Sequence, residues 1–364
     1  MKRVLICVGT RPNFIKVVKL KKLFTSSNIE CKLLHTGQHF DANMSGIFFE
    51  DLKLDRPDYH LNIDNSGLNE VSGQILMKLK EPLTEFQPDI VIVVGDVIST
   101  FTCAFAACNL GIPVAHIESG LRSHRMSMPE ERNRILTDHI SSLLFVTEEI
   151  GVQNLIKESI SKEKIKLVGN TMIDVLMEML PYIEKRKMYE QYHLVAKNYI
   201  LATFHRPINV DDPLALNEVV NTLRMLGVST NVVFPMHPRT KNALIQFNLM
   251  GNLTNLENII IAEPLGYFDF LNLLLNARAI VTDSGGVQSE ASYLNIPCLT
   301  IRDETELLST IEYGTNTLCP LDVKQIELEY RRILDGLYKN KSDYKNWDGK
   351  ASERIVDEVI KFLN

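Results

Sequence analysis

Residues 277–291, ARAIVTDSGGVQSEA, form a β-branched apolar run that ends at Thr282-Asp283, turns at Ser284-Gly285-Gly286 and opens a helix. A strand that passes through a glycine turn into a helix is half of a βαβ unit. The same kind of run recurs as RVLICV (3–8), CKLLHT (31–36), DIVIVVG (89–95), IPVAHI (112–117), LLFVT (143–147) and KIKLVG (164–169), and later as YILATF (199–204), NVVFPM (231–236), NIIIAE (258–263) and IPCLTI (296–301). Longer amphipathic segments separate these runs. Such alternation predicts parallel sheets covered by helices on both faces.

The chain has 364 residues, 45% of them hydrophobic, which is about twice the usual domain length. We therefore expect an α/β protein of two Rossmann-like, doubly wound domains facing across a cleft. The polar stretch EKRKMYEQYHLVAKN (184–198) carries no strand and separates the two groups of runs. The expected division is 1–175, 176–345 and a terminal amphipathic helix within 346–364.

The 45 acidic residues outnumber 39 Lys and Arg, a net charge of -6, which disfavours a nucleic-acid partner. Six cysteines lie scattered without CxxC or zinc spacing, so they read as small buried hydrophobes in a reducing compartment. The longest stretch without formal charge, Val97 to Ile117, is broken by Asn109, Gly111 and Pro113, and reads as a buried helix followed by a strand. The expected setting is cytoplasmic, with no membrane partner.

In open parallel sheets, ligands bind beyond the carboxyl ends of the strands. The first run is followed by Gly9-Thr10-Arg11-Pro12, with Lys16 one turn into the next helix. Two cations at a helix N-terminus suit an anion, and a plain glycine turn with two solvated cations fits equally well. Neither GxGxxG nor GxxxxGK[ST] is present. Asp96, Glu118 and Glu130 follow neighbouring runs, and carboxylates sharing a site separate into base and acid. Pro129-Glu130-Glu131 is also good first-turn chemistry, which accounts for one of those two glutamates. No HxH or HExxH spacing supports a metal.

In the second half, His205-Arg206 and His237-Pro238-Arg239 follow successive runs, two His/Arg pairs suited to anion binding or proton transfer. The Ser284-Gly285-Gly286 turn offers unobstructed helix amides to a diphosphate, and Glu290, about a turn later, suits adjacent ribose hydroxyls. Acids in the first half and a diphosphate grip in the second describe an enzyme acting on a nucleotide sugar.

Taken together, GTRPNFIK (9–16), HTGQHFDANMSGIFFE (35–50), GDVIST (95–100), HIESGLRS (116–123), MPEERNRILTDHIS (128–141), HRPINVDDP (205–213), FPMHPRT (234–240), EPLGYFDF (263–270), TDSGGVQSEA (282–291) and DGKASERI (348–355) resemble the non-hydrolysing UDP-N-acetylglucosamine 2-epimerases. VGNTMIDVL (168–176) and EYGTN (312–316) extend the resemblance nearly end to end, and GTRPN replaces the GTRAD of hydrolysing relatives. The resemblance implies a GT-B-like fold, a homodimer, a terminal helix returning to the first domain, and no redox cofactor or metal. It implies an isomerase that removes the C2 proton as UDP leaves C1, giving a 2-acetamidoglucal to which UDP and a proton return.

By motif match, Asp96, Glu118, Glu130 and His205 serve proton transfer and leaving-group departure. Arg11, Lys16 and Arg134 lie near sugar and diphosphate, Ser284, Gly285 and Gly286 hold phosphate, Glu290 the ribose, and Phe270 the uracil side. Gln38, Arg206 and His237 match positions through which some members are activated by a second substrate molecule. Two departures bear on substrate. Relatives with TERP have an arginine where this chain has Leu307, and a charge-assisted hydrogen bond contributes roughly 1.5–3 kcal/mol, so Arg302 is the nearest compensating cation. Ser289 and Ala291-Ser292 flank Glu290 where an additional acid is common. The substrate expected is UDP-GlcNAc, with a modified UDP-2-acetamido sugar, a UDP-sugar glycosyltransferase on the same fold, or a silent UDP-sugar-binding regulator as alternatives.

Overall fold

The computed structural model describes residues 1–37, 56–64, 67–342 and 344–364. Chain contacts divide it into two units, Met1–Glu178 with Tyr344–Asn364, and Met179–Asp343. The chain leaves the first unit within the helix Thr171–Ile183.

The first unit holds β1 (Arg3–Val8), β2 (Glu30–His35), β3 (Tyr59–His60), β4 (Ile90–Val94), β5 (Val114–Ser119), β6 (Leu143–Val146) and β7 (Ile165–Leu167). They form one parallel sheet in the order β3-β2-β1-β4-β5-β6-β7. The second unit holds β8 (Tyr199–Thr203), β9 (Asn231–Pro235), β10 (Ile259–Ala262), β11 (Ala279–Thr282), β12 (Cys298–Ile301) and β13 (Asn316–Cys319). Its parallel order is β10-β9-β8-β11-β12-β13. Both are doubly wound sheets whose order reverses at one point, between β1 and β4 and between β8 and β11.

The central strands are mostly apolar because helices cover both faces. All five residues of β4, IVIVV, are buried. Beneath β1 and β4 the core gathers Leu5, Ile75, Leu79, Val91, Val93 and Ala104. The second unit has its own core of Ile200, Phe204, Leu223, Phe234, Val281 and Leu299. Burying each large aliphatic or aromatic side chain contributes roughly 1.5–3 kcal/mol, so each sheet rests on its own apolar layers.

The last helix, Ala351–Leu363, buries Ala351, Ile355, Val356 and Val359 on one face and packs on the helix Arg11–Ser26. Its first amides are held by Asp174, which accepts from Ala351 N at 3.1 Å and Ser352 N at 2.6 Å. Among the described residues, no helix is long and apolar enough to cross a membrane. The two strands that the apolar runs did not indicate are β3, only two residues long, and β13, whose sequence NTLC mixes polar and apolar residues.

Candidate functional site

At the reversal point of the first sheet, β1 is followed by Gly9-Thr10 and β4 by Gly95-Asp96. Asn13 ties the two together. Its Oδ1 accepts from Thr10 N at 3.1 Å and Thr10 Oγ1 at 2.6 Å, while its Nδ2 donates to Val94 O at 3.1 Å. One turn on, Lys16 Nζ pairs with Glu118 Oε2, and both side chains are about 13–14% exposed. Gly95 sits beside this pair at φ +74°, and a Cβ there would lie 2.8 Å from Asn13 Nδ2 and 3.6 Å from Glu118 Oε2. Glycine is needed at that position on both counts.

Glu118 itself has φ +69°, in the left-handed region. The β5 to β6 register explains why. Ile117 pairs with Phe145 and Ser119 with Val146, so Glu118 is the extra residue of a bulge. A non-glycine residue held there costs about 1–3 kcal/mol and persists only where its surroundings enforce it.

The helix Pro129–Ile140 buries a polar face: Glu131, Asn133, Arg134, Thr137 and Asp138. Arg134 bridges two acids, donating from Nη2 to Asp96 Oδ2 at 2.6 Å and from Nη1 to Glu131 Oε2 at 2.7 Å. Asn133 adds a bond to Asp96 O at 2.8 Å. Glu131 also accepts from the amides of Ser123 and His124, both at 2.9 Å, so it pins the loop after β5. Burial alone would push its carboxyl up, but those amides and Arg134 hold it below its ordinary range. Glu130, half-buried, stands one residue earlier in the same first turn.

In the second unit, the reversal point lies between the ends of β8 and β11. His205 Nδ1 is 2.8 Å from Asp283 Oδ1. Asp283 also accepts from His205 N at 2.9 Å, Arg206 N at 2.9 Å and Asn209 Nδ2 at 3.1 Å. Burial would raise its carboxyl, yet these donors bring it below the ordinary aspartate value. The His237 ring lies 5.4 Å from that of His205, centroid to centroid.

The helix Gly285–Tyr293 begins at Ser284, whose side chain makes no capping bond. A Cβ on Gly285 would lie 3.3 Å from Arg302 Nη2, so the turn and the guanidinium approach closely. Arg302 Nε donates to Asp283 O at 2.9 Å and Nη1 to Glu306 Oε2 at 3.1 Å. Its buried Nη2 finds no hydrogen-bond partner among the described residues. Burial lowers the guanidinium to about 10. Glu290, on the buried face of this helix, accepts from Tyr267 Oη at 2.7 Å and is pushed up by burial to about 7. Phe270 is half-buried on the helix Tyr267–Asn276.

Within the first unit the structure thus joins Lys16 to Glu118 and Asp96 to Arg134, and places Glu130 on Arg134's helix. Within the second it gathers His205, Arg206, His237, Ser284, Gly285 and Gly286 around Asp283 and its neighbours. Gln38 and the side chain of Arg11 lie outside the described residues. Sequence reading did not single out Asn13, His116, Asp138 or Asp283. The readable signal for Asp138 is spacing, since Glu131, Arg134 and Asp138 recur at i, i+3 and i+7 on one helix face. Among the described residues, no cluster of three or more His, Cys, Asp or Glu could hold a metal ion.

Carboxylates paired with cations at one strand edge, and a bare helix N-terminus with a free guanidinium N–H at the other, fit acid–base chemistry and anion binding respectively. Residues 21–360 match the family model described as UDP-N-acetylglucosamine 2-epimerase. The chain is 40% identical to the UDP-N-acetylglucosamine 2-epimerase of Methanocaldococcus jannaschii, over 96% of this chain and 97% of that one. It is 36% identical to the UDP-2,3-diacetamido-2,3-dideoxy-D-glucuronate 2-epimerase of Pseudomonas aeruginosa, over 99% of each. Its structure is similar to that of the M. jannaschii UDP-GlcNAc 2-epimerase in complex with UDP-GlcNAc and UDP, with TM-score 0.89, 40% identity and coverage of 99% and 100%. Two sheets of this order, matched along their whole length by sequence and by fold, place the chain in the UDP-N-acetylglucosamine 2-epimerase family, and it is an enzyme.

Proposed function

We propose that this enzyme interconverts UDP-N-acetylglucosamine and UDP-N-acetylmannosamine by elimination and re-addition of UDP. The observation that carries the reading is the set of carboxylates at the ends of β4 and β5, Glu118 held by Lys16 and Asp96 by Arg134. A C2 proton is weakly acidic, so its removal needs a positioned base together with a stabilised leaving group. A carboxylate of the set Asp96, Glu118 and Glu130 takes the C2 proton. The C1–O bond breaks, UDP departs with the electron pair, and a 2-acetamidoglucal remains. UDP then re-adds at C1 as a proton is delivered to the other face of C2.

In this reading Arg11, Lys16 and Arg134 stabilise charge near the sugar and diphosphate, and His205 assists the leaving group. Ser284, Gly285 and Gly286 receive the diphosphate, Glu290 the ribose and Phe270 the uracil side. Gln38, Arg206 and His237 are assigned to activation by a second substrate molecule. The protein works as a homodimer in the cytoplasm and supplies cell-surface polysaccharide synthesis.

A second reading is supported by the P. aeruginosa relative, whose named substrate is an acidic diacetamido sugar. Leu307, half-buried on the loop before the helix Leu308–Glu312, belongs to the same question, since it removes a cation from this region. Incubating the purified protein with UDP-GlcNAc and, in parallel, with UDP-2,3-diacetamido-2,3-dideoxyglucuronate, followed by proton NMR, tests both. The manno epimer of the neutral sugar supports the first reading, and turnover of only the acidic sugar supports the second. Free UDP accumulating with free sugar would contradict both.

A further inference from the structure

Asp138 is fully shielded from solvent, and its two oxygens reach either side of one residue. Oδ1 lies 2.6 Å from His116 Nδ1, and Oδ2 accepts from Gly120 N at 3.1 Å. His116 and Gly120 stand two residues before and two residues after Glu118. The residue between them is the bulged, left-handed Glu118. The other ring nitrogen, His116 Nε2, is 2.8 Å from the carbonyl oxygen of Gly95, the residue before Asp96. Both ring nitrogens therefore lie within hydrogen-bond reach of oxygen atoms, Asp138 Oδ1 on one side and Gly95 O on the other.

We propose that Asp138 is a positioning residue, which through His116 and the Gly120 amide fixes the backbone that presents Glu118 and Asp96. The proposal rests on the reading of those two carboxylates as reaction machinery. Asp138 forms a buried ion pair with Arg122, and charge pairing alone does not account for its two-sided contacts. Arg122 lies 2.7 Å from Asp138 Oδ2, but it already has a two-point partner in Glu158, Nε to Oε1 and Nη2 to Oε2, each at 2.7 Å. Beyond that ion pair, Asp138 supplies an acceptor to His116 and to Gly120, which bracket the bulge. Burial raises its carboxyl and the His116 ring and Arg122 lower it more, so it stays an acceptor for both.

Asp138→Asn tests this, because the amide side chain has one oxygen and cannot accept from both His116 and Gly120. Crystal structures of both proteins, with steady-state kinetics on UDP-GlcNAc, give separate readouts. The proposal expects Glu118 to leave its left-handed conformation, kcat to fall roughly a hundredfold, and KM to stay within about twofold, since misplacement of a reacting group by about 1 Å has that effect. Unchanged kcat with Glu118 at its original φ overturns it, as does a loss confined to thermal stability. Should wild-type protein show no turnover, the functional reading fails, and the Glu118 conformation in the two crystal structures still decides the positioning claim. Should the variant not fold, nitrogen-15 NMR of the wild-type His116 ring decides it. Two N–H resonances support the relay, and a ring with one overturns it.

Discussion

His205 and Asp283 meet across the point where the second sheet reverses its strand order, Nδ1 to Oδ1 at 2.8 Å, the aspartate fully buried and the histidine 39% exposed. The two residues therefore divide into a support and a presented group. Asp283→Ala leaves the amides of His205 and Arg206 and the Asn209 side chain without an acceptor, and we expect a loss of about 3–5 kcal/mol in denaturant unfolding. His205→Asn is expected to cost less than about 1 kcal/mol while lowering kcat by about 10²–10⁴-fold. Equal stability losses for the two variants would contradict this division.

Asp283 and Asp138 are both depressed below their ordinary carboxyl values in the folded protein. The sign follows directly. An acid that holds its proton less tightly when folded contributes stability that is present above the unfolded value, near 4, and is lost as pH falls through the lower folded value. Wild-type protein is expected to lose stability as pH falls below about 4, and Asp283→Asn to lose less over the same range. Acid titration of the unfolding midpoint measures the difference.

Glu290 has the opposite sign, because burial raises it from 4.5 to about 7. Between those values the folded state holds a proton that the unfolded chain has released, so lowering the pH across that window stabilises the wild type. Glu290→Gln is expected to remove this dependence and to be the more stable protein above pH ~7. Calorimetry at several pH values checks the slope. The same variant is expected to weaken UDP binding, since an amide is a poorer partner for two ribose hydroxyls.

Arg302 carries a buried Nη2 without a hydrogen-bond partner among the described residues, 3.3 Å from the space a Cβ on Gly285 would fill. If that N–H takes a phosphate oxygen, Arg302→Gln weakens UDP binding by about ten- to a hundredfold, the equivalent of roughly 1.5–3 kcal/mol. Leu307→Arg is expected to tighten it. Isothermal calorimetry with UDP measures both, and an unchanged dissociation constant for Arg302→Gln would contradict the assignment.

The strands were readable because a parallel sheet buried on both faces leaves uninterrupted apolar runs such as IVIVV. The turn residues were readable too, since Gly9 and Gly95 directly follow their runs and Gly285 opens the helix after β11. What the sequence hid was polar and buried. The spacing of Asp138 with Glu131 and Arg134 marks a helix face, but its partner His116, 22 positions earlier, has no local sign. Asp283 reads as part of a phosphate turn, yet its hydrogen bonds run to the loop after β8, 74 to 78 positions away. The bulge at Glu118 depends on pairing with β6 and has no local sign. Long-range pairing, and not periodicity, decides each of these.

We propose that a carboxylate of the first unit moves the C2 proton, with Glu118 foremost because Lys16 and the bulge hold it in place. Incubation with UDP-GlcNAc in D2O, followed by proton NMR, tests it directly. Wild-type protein is expected to give the manno epimer with deuterium at C2 and little free UDP, and Glu118→Gln to give neither exchange nor epimer. A manno product that keeps its original C2 proton, or undiminished exchange by Glu118→Gln, would contradict the account.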